Sequence, residues 1–202
     1  MKRIGAILLL ISASVSVFGQ ARNCGTDELI KLQKSAEQIR LDQEYFEGWL
    51  AKQTIKRPRT NGLEQLDEEV IYKIPVVVHI IHQGEPLGSG SNILDEQVLA
   101  QIQVLNKDFR HLNADSVNTP SEFHSIMADT GIEFILAKQG PLGFSSNGIT
   151  RTNGGDRTWS LSNNAELKSL SYWPSDDYLN IWVAPLSNSL LGWAEFPTSS
   201  II

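Results

Sequence analysis

The chain has 202 residues, 41% of them hydrophobic and 20% charged, with five Trp and seven Phe. Such a composition builds one ordinary domain, with room for an appendage, and excludes an intrinsically disordered protein. A formal net charge of −6 excludes a binder that relies on nucleic-acid phosphates, and a single cysteine, Cys24, excludes an intrachain disulfide and a Cys-rich zinc module.

Residues 1–19 have the three-part pattern of a secretory signal peptide. Lys2 and Arg3 give a positive start, and Ile4 to Ile11 form an apolar run. Val17-Phe18-Gly19 places small residues at −3 and −1 of a cut before Gln20. The rival is an N-terminal membrane anchor. Ser12, Ser14 and Ser16 interrupt the apolar stretch, which falls short of the ~20 residues that span a bilayer. The expectation is therefore export with cleavage, a secreted destination and no membrane span. Ala21-Arg22-Asn23 is not the small apolar approach of a lipid-anchored cysteine.

Residues 27–51 read as one amphipathic helix. Leu29, Leu32, Ala36, Ile39, Phe46 and Leu50 fall on one stripe, and Thr26 or Asp27 suits the start. This stripe is expected to lie on whatever follows. Lys56-Arg57-Pro58-Arg59-Thr60-Asn61-Gly62 is the candidate linker, basic and carrying both Pro and Gly. Within it, Arg59-Thr60 is a better protease target than Arg57-Pro58.

Beyond the linker the pattern changes. Lys73 to His82 is β-branched and almost wholly apolar, as in a strand buried on both faces. A Gly/Ser loop leads to a helix over Asp95 to Arg110, where Val98, Ile102, Leu105 and Phe109 recur at helical spacing. Ile132 to Lys138 reads as a second strand, and Asn147-Gly148 as a turn before Ile149-Thr150-Arg151. A short helix over Glu166 to Leu170, a third strand over Tyr178 to Ala184 and a fourth over Leu190 to Phe196 complete an α/β order. Ile201-Ile202, after the break at Pro197 to Ser200, looks like the first step of a further strand, as in a chain stopped in mid-fold.

The chemistry-bearing motifs are few. His79-Ile80-Ile81-His82 has the spacing of a metal pair only on a helix; on a strand, residues three apart face opposite ways. A sheet histidine and a strand-end histidine are the favoured reading. His111 and His124 read as surface residues, and the carboxylate runs Asp67-Glu68-Glu69 and Asp176-Asp177 as solvated groups. No nucleophile elbow, phosphate-binding loop or H-E-x-x-H occurs.

Several stretches, taken in order, resemble the pappalysin (cytophagalysin) family of secreted zinc metalloendopeptidases in the metzincin group. They are Ile74-Pro75-Val76-Val77-Val78-His79, Gln103 to Arg110, Asn147 to Arg151, Tyr178 to Val183 and Leu190 to Pro197. The resemblance covers roughly residues 70–202. It implies an α/β, zincin-like fold with a twisted mixed sheet and packed helices. The division would be a signal peptide at 1–19, a helical pro-segment at 20–60 and the N-terminal part of a catalytic domain at 61–202. Zinc is implied for a full-length parent, on an H-E-x-x-H-x-x-G-x-x-H helix that follows the stretch matching Leu190 to Pro197. The chain as given would bind no catalytic zinc, and no catalytic residue carries over; calcium is undetermined.

Two features do carry over. Leu190 to Phe196 matches an antiparallel edge strand bordering the cleft, so Leu191, Gly192, Trp193 and Ala194 would pair with an extended protein or peptide substrate. Arg22-Asn23-Cys24-Gly25 looks like a cysteine switch, in which the Cys24 thiolate fills the open position of a catalytic zinc. Cutting near Arg59, the linker position favoured above, would then release the pro-segment. The alternative is a secreted, non-catalytic binding or scaffold module that kept only the α/β half.

Overall fold

The structure is a computed structural model that describes residues 23–54, 71–187 and 189–195. The leader, the linker with Arg59, and Phe196 to Ile202 lie outside the described residues.

A four-stranded sheet is built around one long central strand. Strand β1 (Asn23–Cys24) opens the described chain, followed by helices α1 (Thr26–Gln33) and α2 (Ala36–Thr54) and then by β2 (Tyr72–His82). Helix α3 (Asp95–Phe109), strands β3 (Ile132–Leu136) and β4 (Ile149–Asn153), helix α4 (Asn164–Ser169), and strands β5 (Leu179–Val183) and β6 (Leu190–Gly192) follow. This is the expected α/β class.

β2 is the spine, and its three partners all run parallel to it. One edge is shared: β3 pairs with Tyr72 to Val76, and β4 takes over from Val78 to His82. β5 occupies the other edge, against Val76 to Ile80. The described strand pairings are thus parallel, and the antiparallel member of the expected mixed sheet is not among them.

The hand-over from β3 to β4 depends on one glycine. The Ala137 N–H donates to the Val76 carbonyl, and the Val78 N–H donates to the Gly148 carbonyl, both at 2.8 Å. The chain leaves the sheet between these points and returns against itself. Gly148 has φ +75°, and a Cβ there would lie 2.7 Å from the Ala137 nitrogen. Only glycine suits both the backbone and the space.

Val76 to Ile81 are fully buried because both sheet faces are covered. Val76, Val78 and Ile80 meet Val98 and Ile102 of α3, with Phe134 and Leu136 of β3. Ile81 lies on the opposite face with Trp159 and Leu167. The period of two along β2 and of three to four along α3 is what separates these two layers.

α3 also protects the outer edge of β3. The Asn106 side chain donates to the Phe134 carbonyl at 3.0 Å and accepts from the Phe134 N–H at 2.7 Å, as a neighbouring strand would. Arg110, just past the helix, is ion-paired with Asp129 at 2.9 Å and Glu133 at 2.7 Å.

The expected single helix over 27–51 is two. α1 ends at Gln33, and the Ser35 hydroxyl accepts from the Gln38 N–H at 3.2 Å as α2 starts. Neither Thr26 nor Asp27 caps α1; Gly25 is its N-cap residue, with no side-chain cap bond. Of the expected stripe, Leu29 is buried, whereas Leu32, Phe46 and Leu50 are exposed. No described helix is long and apolar enough to cross a membrane.

Candidate functional site

β6 lies beside the chain's own N-terminal segment rather than open to solvent. It spans Leu190–Gly192, shorter than the expected strand to Phe196, and pairs in parallel with β1. The Asn23 N–H donates to the Ser189 carbonyl at 3.2 Å, and the Gly25 N–H to the Gly192 carbonyl at 2.8 Å. Backbone groups expected to be free for a peptide are therefore engaged by the chain's own N-terminal segment.

Side chains extend this contact. A Cβ at Gly25 would fall 2.9 Å from Leu161 and 3.1 Å from Leu190, so the backbone passes directly over both leucines. The Thr26 hydroxyl accepts from the Ala194 N–H at 3.0 Å. Leu29, one helical turn beyond Gly25, is only 2% exposed. Gln33 closes the series by donating to Glu195 at 3.4 Å.

Glu195 holds the other side to α4. It accepts from Asn164 Nδ2 at 2.8 Å and lies 2.5 Å from Lys168 Nζ. Burial works to raise the Glu195 pKa, but Lys168 and Asn164 outweigh it and hold the carboxyl below its ordinary value. Asn164 also accepts from Trp193 Nε1 at 3.0 Å.

Leu191, Gly192, Trp193 and Ala194 line a cleft of 570 Å³ whose far wall is β5. The structure thus brings all four expected peptide-contact residues together with Cys24, while Arg59 lies outside the described residues. Leu191 is well exposed, and Trp193 is half-buried.

Cys24 is exposed, with its sulfur 3.4 Å from the Thr26 hydroxyl. That hydroxyl, and then the Thr26 backbone N–H, hold the thiol below its ordinary pKa. Thiolate is the metal-binding form. Among the described residues, however, no three His, Cys, Asp or Glu side chains converge as a metal site. One thiol does not make a zinc centre, so the described residues do not by themselves fit the metal.

The two histidines of β2 do not cooperate. His79 is fully buried, with Nδ1 2.7 Å from the Thr150 hydroxyl and Nε2 2.9 Å from Asn180 Oδ1. Asn180 donates through its amide to the Trp173 and Tyr178 carbonyls, which fixes Oδ1 as an acceptor. His79 Nε2 therefore donates, and Nδ1 accepts from Thr150. His82 accepts from the Gly84 N–H at 3.1 Å. Both act within the sheet, as the strand reading expects.

Thr26, Gln33, Asn164 and Glu195 were not singled out as site residues from the sequence. Their partners are brought together by the fold: Thr26 and Ala194 are 168 residues apart. No local pattern announces such a pairing.

No protein-family model matches the chain, and no curated protein matches it. Solved structures do. Mature mirolysin of Tannerella forsythia, in complex with a cleaved peptide, is 45% identical with a TM-score of 0.57, over 63% of this chain and 47% of that one. Mirolysin in complex with a compound gives 45% and 0.56 over the same shares. A Tannerella forsythia promirolysin mutant is 35% identical with a TM-score of 0.64, over 87% of this chain and 54% of that one. The present chain spans about half the length of these solved chains.

Proposed function

We propose that this chain is the N-terminal portion of a secreted zinc metalloendopeptidase zymogen of the pappalysin type. The observation that carries the reading is β1 seated on β6, with Cys24 at the same place. Mirolysin is a metzincin-type metalloprotease, and the alignment with its pro-form reaches 87% of this chain against 63% for the mature form. That difference is what a pro-segment contained in this chain would produce.

In this reading residues 1–19 export the protein, 20–60 keep it latent, and cutting at Arg59 begins activation. Leu191 to Ala194 would receive an extended peptide once β1 has left. Backbone pairing fixes the direction of a bound chain, and the cleft beside β5 accepts side chains. Cys24, exposed and with its thiol held below the ordinary pKa by Thr26, would be the zymogen's thiolate ligand. When bound, zinc in such a protease acidifies a water and polarises the scissile carbonyl. The described residues bring no cluster of three candidate ligands together, so hydrolysis would need ligands from outside them.

The test uses the longest product of the coding frame that contains this chain. Once processed, it should hydrolyse a quenched peptide, lose that activity to a chelator and regain it with zinc. Cys24→Ala should raise the activity of the unprocessed form. A processed product without zinc-dependent hydrolysis would favour the scaffold alternative, and unchanged latency in Cys24→Ala would remove the thiol's role.

A further inference from the structure

The contacts between the N-terminal segment and the body are spread over eleven residues, and the thiol contributes none of those described. Cys24 is exposed, and its sulfur bonds to Thr26 of its own segment. The grip comes from elsewhere. Two backbone hydrogen bonds link β1 and its successor Gly25 to Ser189 and Gly192. Gly25 runs close against Leu161 and Leu190, where an added Cβ would press on the leucine methyls at 2.9 and 3.1 Å. Thr26 accepts from the Ala194 N–H, Leu29 is buried, and Gln33 reaches Glu195. Glu195 is itself held by Asn164 and Lys168, so the receiving surface is fixed from behind by α4.

We propose that residues 190–195 together with Leu161 form a recognition surface for residues 23–33 that works without the Cys24 thiol. The segment therefore remains bound after the connection between 54 and 71 is cut. Its role as an inhibitor rests on the zymogen reading above; the docking itself does not. Cutting the linker is then only the first of two steps, and the second is dissociation or further cleavage of the docked segment. The occupant is this chain's own N-terminus, and its apolar anchor is a leucine one turn into a short helix.

The experiment uses the full chain with a site-specific protease sequence inserted after Gly62. After cutting, size-exclusion chromatography without added metal should show both pieces co-eluting. A dilution series, read by displacement of a fluorescent peptide comprising residues 23–54, gives the affinity. Cys24→Ser should stay within about threefold of the unaltered chain. Leu29→Ala should weaken association roughly thirtyfold or more, from loss of a buried leucine. Thr26→Val should weaken it roughly three- to tenfold, from one hydrogen bond. Both substitutions lie in the released piece, so the body that receives it is the same in every comparison. Separation of the unaltered pieces overturns the proposal. So does loss of association in Cys24→Ser, or full affinity in both Leu29→Ala and Thr26→Val. Association without protease activity in the longer product would keep the docking surface and remove only the zymogen reading.

Discussion

His79 shows how far one residue can be read before its surroundings are seen. Its neighbours in sequence are β-branched, which separates it from His82 and argues against a shared ion. Nothing local tells that Thr150 and Asn180 take its two nitrogens, or that Trp182 stacks on the ring with centroids 5.1 Å apart. Burial pushes the imidazole below its ordinary pKa of 6.5, and the Asn180 hydrogen bond only partly opposes it. The folded chain thus keeps His79 neutral, while the unfolded chain takes up a proton near 6.5. The stability this provides is complete above that pH and declines as pH falls below it. We expect the thermal midpoint to fall between pH 7 and pH 5, and to fall less in His79→Gln. An equal decline in the variant would exclude His79 as the source.

Elements were legible in proportion to how local their causes are. β2 and α3 announce themselves through a β-branched apolar run and through spacings of three and four, and both form close to the expected bounds. The break between α1 and α2 was missed, although Ser35-Ala36-Glu37-Gln38 has the pattern of a helix start. The continuous apolar stripe masks that cap, and much of the stripe is exposed. The shared edge of β2 could not be foreseen either, because it depends on Gly148 bringing the chain back against Ala137. Asn106 was visible only as a letter in a helix; its function is to complete β3. Asn106→Leu should leave a Phe134 N–H and carbonyl unpartnered, costing about 2 to 3 kcal/mol. Denaturant unfolding with an unchanged slope is the measurement, and a loss below about 0.5 kcal/mol would show that water replaces the amide.

At the scale of the whole molecule, stability is unevenly distributed. The layers above and below β2 hold nearly all of the buried apolar residues, whereas α2 exposes Leu41, Tyr45, Phe46 and Leu50. Amide exchange follows burial and local contact density. We expect Val76 to Ile81 to exchange slowest and α2 fastest among the described helices, with α1 between them because Leu29 and β1 tie it down. Exchange from α2 as slow as from β2 would mean that its exposed face is covered in solution. The α/β architecture was legible from the order of the strands and helices. The candidate site was legible only by half: Leu191 to Ala194 came from a resemblance, but that the N-terminal segment sits on them is a long-range fact.

That distance has a consequence in time. Translation delivers β1 well before β6, with some 168 positions between the residues they bring together. Until β6 emerges, the N-terminal segment lacks its hydrogen-bond partners at Ser189, Gly192 and Ala194, and those contacts carry the closure entropy of a very long loop. Every strand of the central sheet is synthesised before β6, so that sheet can assemble before the segment docks. The docked segment is then a late check, satisfied by a body that has already placed Leu161, Leu190 and Glu195 correctly.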